Sequence, residues 1–326
     1  MFKLIKVDFY DDFSCLMSDC NDNCCDEDWD IYIDEETIEK YEKLGVPDLY
    51  TKITRDEPHR LIKHDHKCPF ITPEGLCLFH RDYGEEYLSN TCRSYPRFVS
   101  TYGDVYLETL GMSCPATVQI ILKLKKPVIF PEKIYYEDQN EVGIIPDRKE
   151  NEICSRNIIS EFKPGECMIA TYKRLYRELS GGCGVQIKKK HELLAILKEK
   201  TYNTPSERYF RELFDGDHTD DINDSSALEE DGILTELETR LSEICYTYSC
   251  NVNRMWLFEH LMLNSLSDTP DNKEVIRQGL NIWILLLMSL EYKMNRKKDI
   301  DEDALVECTY RIMRIMDHGG DIFDHL

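Results

Sequence analysis

The chain has 326 residues, 42% of them hydrophobic and 31% charged, with 62 acidic against 40 basic side chains and a formal net charge of −22. That length suits one large domain or two smaller ones. A surface so acidic repels a phosphate backbone, which argues against nucleic acid as a partner, and it attracts cationic partners such as lysine-rich peptides.

The opening residues, Met1 to Phe13, lack the long apolar run of a signal peptide. The longest apolar stretch, residues 282–288, is far short of the roughly 20 residues of a spanning helix. No membrane segment and a cytoplasmic location are therefore expected. Residues 31–33 read as a short strand or an extended approach. A helix is predicted over 35–44, with Asp34 as its N-cap and Gly45 as its stop. Residues 68–80 contain Pro69, Pro73 and Gly75 and read as turn and loop. A helix over 115–124 carries proline at its first position. Residues 125–150, with Pro127, Pro131, Gly143 and Pro146, read as a connector.

Beyond the connector the pattern is helical. Helices are predicted over 167–179, 228–246, 253–266, 273–294 and 302–316 from apolar residues three and four apart. Another opens at the capping box Thr204-Pro205-Ser206-Glu207. Residues 215–231 are acidic and read as an exposed loop. Gly181-Gly182-Cys183-Gly184 reads as a helix C-terminal turn rather than a phosphate loop. The stripes around Trp256 and Trp283 read as core. The expected fold class is mainly α: an irregular, cysteine-rich, metal-binding domain over 1–124, the connector, and an all-helical domain over 151–326.

Fourteen cysteines carry the chemistry. In a reducing cytosol, clustered cysteines read as metal ligands or catalytic thiols. Eight precede residue 115: Cys15, Cys20, Cys24, Cys25, Cys68, Cys77, Cys92 and Cys114. The other six, Cys154, Cys167, Cys183, Cys245, Cys250 and Cys308, are scattered and read as small hydrophobes. Four thiols between Cys15 and Cys25 converge only if the chain wraps around something, and both iron and zinc favour thiolates. Cys77 and His80 have ligand-like spacing. Cys114 precedes a helix start, where the helix dipole favours a thiolate. Acids crowd the first cysteines: Asp11, Asp12, Asp19, Asp22, Asp26, Glu27, Asp28 and Asp30. They form either a solvated loop face or a charge that a bound cation offsets. The three-cysteine spacing of radical enzymes that use S-adenosylmethionine is absent, and so is a glycine-rich dinucleotide loop after a strand.

Four motifs occur in order: Phe13-x-Cys15 through Cys20 and Cys24-Cys25 to Trp29-x-Ile31; Cys68-Pro69-Phe70 to Gly75-Leu76-Cys77-x2-His80; Leu88-Ser89-x-Thr91-Cys92-Arg93-x-Tyr95-Pro96-Arg97; and Ser113-Cys114-Pro115. Together they resemble the flagellin lysine-N-methylase family, and the stretch from Cys15 to Cys92 also resembles a broader family of small zinc- or iron-chelate-binding proteins. The first resemblance implies methylation of lysine side chains on flagellin, with S-adenosylmethionine as donor, by an enzyme carrying an iron–sulfur cluster of the 4Fe-4S type. Zinc is the alternative metal. Tyr95 and His80 are candidates for the base that a lysine nucleophile needs. Arg93 and Arg97 are candidates for compensating thiolate charge or holding the donor's carboxylate. On an extended stretch they would share a face with Tyr95. The competing function is a non-catalytic zinc- or iron-cluster-binding module with a helical interaction domain.

Overall fold

The computed structural model describes residues 2–135 except 21, 28 and 103; residues 149–186; the isolated positions 188, 192, 193, 195, 206, 208 and 209; and residues 227–264, 271–297 and 300–318. Among these residues it is mostly helical, with one small sheet.

That sheet corrects the expectation of an irregular N-terminal region. Its strands are β1 (Phe2–Lys6), β2 (Arg97–Tyr102), β3 (Val105–Leu110) and β4 (Glu132–Tyr135), in the order β2-β3-β1-β4. β2 and β3 form an antiparallel hairpin with Tyr102 opposite Val105. β1 lies parallel to β3, and β4 pairs antiparallel with β1 inside the stretch read as a connector. Aromatic and β-branched residues on either side of Gly103-Asp104 are a hairpin signal, which the surrounding cysteines overshadowed. The pairing of β1 with β3 spans about a hundred residues of sequence, so no local pattern announces it. Ile5 and Leu107 point into the core, while the rings of Tyr106 and Tyr135 flank Phe2 at 5.3 and 4.8 Å.

Five helices precede β4: α1 (Glu35–Lys43), α2 (Leu49–Lys52), α3 (Leu78–Tyr83), α4 (Asn90–Ser94) and α5 (Pro115–Lys123). As expected, the Asp34 carboxylate accepts from the Thr37 amide to cap α1, and Gly45 ends it at a φ of +66°. Among the described residues six long helices follow: α6 (Lys149–Ser160), α7 (Met168–Leu179), α8 (Ala227–Ile244), α9 (Tyr248–Asn264), α10 (Asn272–Lys297) and α11 (Glu302–His318). The end of the expected acidic loop already belongs to α8, and residues 215–226 lie outside the described residues, as do Thr204, Pro205 and Glu207 of the capping box. Gly181 and Gly182 make the turn after α7, both at positive φ.

α10 is apolar all round from Leu280 to Leu290, and a helix of that kind must be enclosed. It packs against α7, α8, α9 and α11. Gly279 permits the approach: a Cβ there would lie 2.8 Å from Tyr172 Oη and 2.9 Å from Trp256 Cζ3. The larger hydrophobic core joins Ile5, Leu107 and Val118 to Trp256, Leu285 and Ile312, so sheet, α5 and the long helices share it. A smaller core gathers Ile31, Ile38, Tyr41, Ile53, Phe70 and Phe79, with Tyr41 stacked on Phe79 at 3.7 Å. Cys25, Cys68, Cys77 and Cys92 pack at this second core.

Candidate metal centre

Each cysteine of the N-terminal group is placed by local backbone chemistry. Cys24 and Cys25 begin a short 3-10 turn, which the Asn23 side chain caps by accepting from the Cys25 amide at 2.9 Å. The same side chain donates to the Gly75 carbonyl at 2.8 Å and so ties the first cysteine loop to the second. The Cys68 amide donates to the Cys25 carbonyl at 3.0 Å. Cys77 and Cys114 occupy the N-caps of α3 and α5, and Cys92 sits in the first turn of α4, where its amide donates to Ser89 Oγ. Helix starts offer unpaired amides to a thiolate.

The sulfurs interact across all four segments. Cys25 donates to both Cys24 and Cys68, which holds its own proton tightly and pulls the other two thiols below their ordinary range. Burial pushes Cys15, Cys20 and Cys77 up, and Cys24 acts electrostatically on each of them. Burial drives Cys92 and Cys114 further, to about 12 each, and Cys24 is again a neighbour of both. The structure therefore brings Cys15, Cys20, Cys24, Cys25, Cys68, Cys77, Cys92 and Cys114 into one region. No three of these sulfurs, among the described residues, close to within 4.8 Å of one another.

The remaining candidates are arranged differently. Tyr95 follows α4, with its ring 5.5 Å from Trp29 and 6.4 Å from Phe98. Its hydroxyl donates to Ser113 Oγ at 3.3 Å, and burial raises it well above the usual phenol range. His80 lies in α3, one turn beyond Cys77. Arg93 is exposed on α4 and donates to the Asn90 side chain. Arg97 opens β2, lies over the Phe13 ring at 4.8 Å and donates to the Phe13 carbonyl at 3.4 Å. Because Arg93 is helical and Arg97 is in a strand, the two do not share an extended face with Tyr95.

Sequence reading missed the basic groups that do reach the thiols. Lys63 donates to the carbonyls of Glu27 and of Trp29, the latter at 3.0 Å, and acts electrostatically on Cys24 and Cys68. Arg314 of α11 is 2% exposed and bonds Glu27, Asp22 and Ser113. The available signal was a lone arginine inside the apolar run Ile312-Met313-Arg314-Ile315-Met316. The acids near the first cysteines divide accordingly. Asp11, Asp12, Asp19 and Asp30 are exposed, whereas Asp22 and Glu27 are buried against arginine. Among the six later cysteines, Cys250 and Cys308 are buried and Cys183 is exposed.

The chain is similar to proteins of known name. It is 28% identical over 152 residues to a lysine-N-methylase of Salmonella choleraesuis, covering 42% of this chain and 37% of that protein. It is 28% identical over 148 residues to a lysine-N-methylase of Salmonella typhimurium, covering 41% and 36%. A flagellar biosynthetic protein FliU of Salmonella muenchen is 29% identical over 138 residues, covering 38% of this chain and 80% of that one. The match thus spans little more than a third of either lysine-N-methylase. No family model and no solved structure matches the chain. The resemblance to lysine-N-methylases read from the cysteine motifs is borne out. No helix among the described residues is long and apolar enough to cross a membrane.

Proposed function

We propose that the chain is a protein-lysine N-methyltransferase that uses S-adenosylmethionine, carries an iron–sulfur cluster on its N-terminal cysteines and acts on a flagellin-type substrate. The observation that carries this reading is the convergence of eight thiols from four segments in a chain similar to lysine-N-methylases. The donor set fits a thiolate-held metal: the sulfurs are numerous, three stand at helix starts, and two basic side chains lie beside them.

When bound, the cluster supplies Lewis-acidic iron able to take a methionine's amino and carboxylate groups. The chain's own residues do the rest. The acidic surface draws a cationic lysine in, through an attraction that salt weakens. That lysine must lose a proton before it attacks a methyl group. The raised phenol of Tyr95 keeps its proton and serves as a donor, which leaves His80 as the proposed acceptor.

The test is anaerobic purification followed by iron, sulfide and absorption measurements, then incubation with labelled donor and a panel of proteins that includes flagellin. Label on lysines that depends on the cluster is the expected result. An intact cluster with no labelled lysine on any protein would overturn the enzymatic reading and leave a metal-binding module.

A further inference from the structure

The guanidinium of Arg314 touches both ends of the cysteine region at once. Its Nε donates to the Ser113 carbonyl at 2.9 Å, directly before Cys114. Its Nη1 lies 3.0 Å from Glu27 Oε1 and 3.1 Å from Asp22 Oδ2, and its Nη2 donates to the Asp22 carbonyl at 2.9 Å. Asp22 stands between Cys20 and Cys24, and Glu27 stands two residues after Cys25. One planar fork therefore holds the first cysteine loop and the Cys114 turn in a fixed relation. Neighbouring groups brace it: Arg311 pairs with Asp22 at 2.9 Å, Ser206 donates to Glu27 at 2.9 Å, and the Tyr310 ring lies 4.8 Å from the guanidinium.

Three of these donors are hydrogen-bonded to the protein and the side chain is 2% exposed, so Arg314 is a brace rather than an open ligand for substrate or donor. A buried ion pair is also a poor way to gain stability, because apolar residues of similar volume do as well or better. What an arginine supplies here, and a leucine would not, is directional bonding to two separate loops and positive charge beside Cys20 and Cys24.

We infer that Arg314 is a positioning residue for the metal centre, clamping residues 22–27 against Ser113 and so setting how the thiols of Cys20, Cys24 and Cys25 stand relative to that of Cys114. The inference rests on the metal-centre reading above, and it makes cluster assembly depend on α11, a helix with no proposed ligand of its own.

The experiment reconstitutes full-length wild type, Arg314→Lys and Arg314→Met with iron and sulfide under anaerobic conditions. Metal content per folded chain, absorption and midpoint potential are read beside the far-UV helical signal. We expect Arg314→Met to keep its helical signal while binding less than half the wild-type iron and sulfide. Any cluster it retains should have a lower midpoint, because a positive charge has gone. Arg314→Lys, which keeps the charge without the fork, should recover the midpoint but not full occupancy. If Arg314→Met does not fold, the double change Asp22→Asn with Arg314→Met, which removes charge from both sides of the pair, takes its place with the same expected loss. Wild-type occupancy, spectrum and potential in the folded variant would overturn the inference. A wild-type chain that takes up no metal would instead overturn the metal-centre reading beneath it.

Discussion

Replacing Tyr95 by phenylalanine separates a structural tyrosine from a catalytic base. The change removes one hydroxyl and keeps the ring contacts with Trp29 and Phe98. The lost bond, to Ser113 Oγ, is neutral and long at 3.3 Å, and Ser113 also bonds the Asp317 carboxylate. It is therefore not orphaned. A neutral hydrogen bond contributes about 0.5–1.5 kcal/mol, and the lower half of that range applies here. At roughly 2–4 °C per kcal/mol in a chain of this size, the melting temperature should fall by about 1–4 °C. Tyr95→Ala, which also empties the ring's site, should cost about 3–5 kcal/mol. Burial holds the Tyr95 proton well above the physiological range, so the phenol is a poor base. Methyl transfer by Tyr95→Phe should thus stay within about tenfold of wild type, whereas loss of a general base costs about 10²–10⁴-fold. The assay is single-turnover label transfer by fully loaded protein, read beside a thermal melt. A hundredfold loss with normal metal content and a normal melt would refute the reasoning.

Cys24→Ser and Cys68→Ser should each reduce bound iron and sulfide at least twofold, while Cys183→Ser, at an exposed turn after α7, should leave both unchanged by metal analysis. With metal removed, the pH dependence of stability should have a defined sign. The folded state holds the Cys92 and Cys114 protons to about pH 12, above the ordinary thiol range. Their contribution is therefore fully present below about pH 8.5 and is lost as pH rises toward 12. Denaturant midpoints measured from pH 8 to 10.5 should fall, and Cys92→Ala with Cys114→Ala should flatten the slope. Gly279→Ala should destabilise the chain in a denaturant melt. The clash with Tyr172 and Trp256 costs about 1–3 kcal/mol and outweighs the helix-propensity gain of about 1 kcal/mol.

Most of the long helices were legible because an apolar pattern within a window of the sequence selects them, and α10 and α11 fall close to their expected bounds; α6, over 149–160, was not among those predicted. Caps were legible too: Asp34 and Gly45 act through neighbours only a few residues away. The sheet was hidden for the opposite reason. β1 finds β3 across a hundred residues, and β4 is a four-residue edge strand among prolines and charges. In the candidate site, thiol density announced the cysteines. The charges that support them were silent, because Glu27 looks like its exposed acidic neighbours until Arg314 arrives from α11.

Arg314 and Glu27 are 287 positions apart. At roughly 5–20 residues per second, a ribosome delivers the first cysteine loop about 15 to 60 s before the arginine that braces it. During that interval the loop's thiols are exposed to solvent, oxidants and stray metal ions, with no guanidinium to hold their spacing. On the proposed reading, correct loading is then a late event, timed by translation of α11 rather than by the appearance of the ligands. A chain stalled upstream of α11 would carry every cysteine of the proposed centre and still lack the means to arrange them.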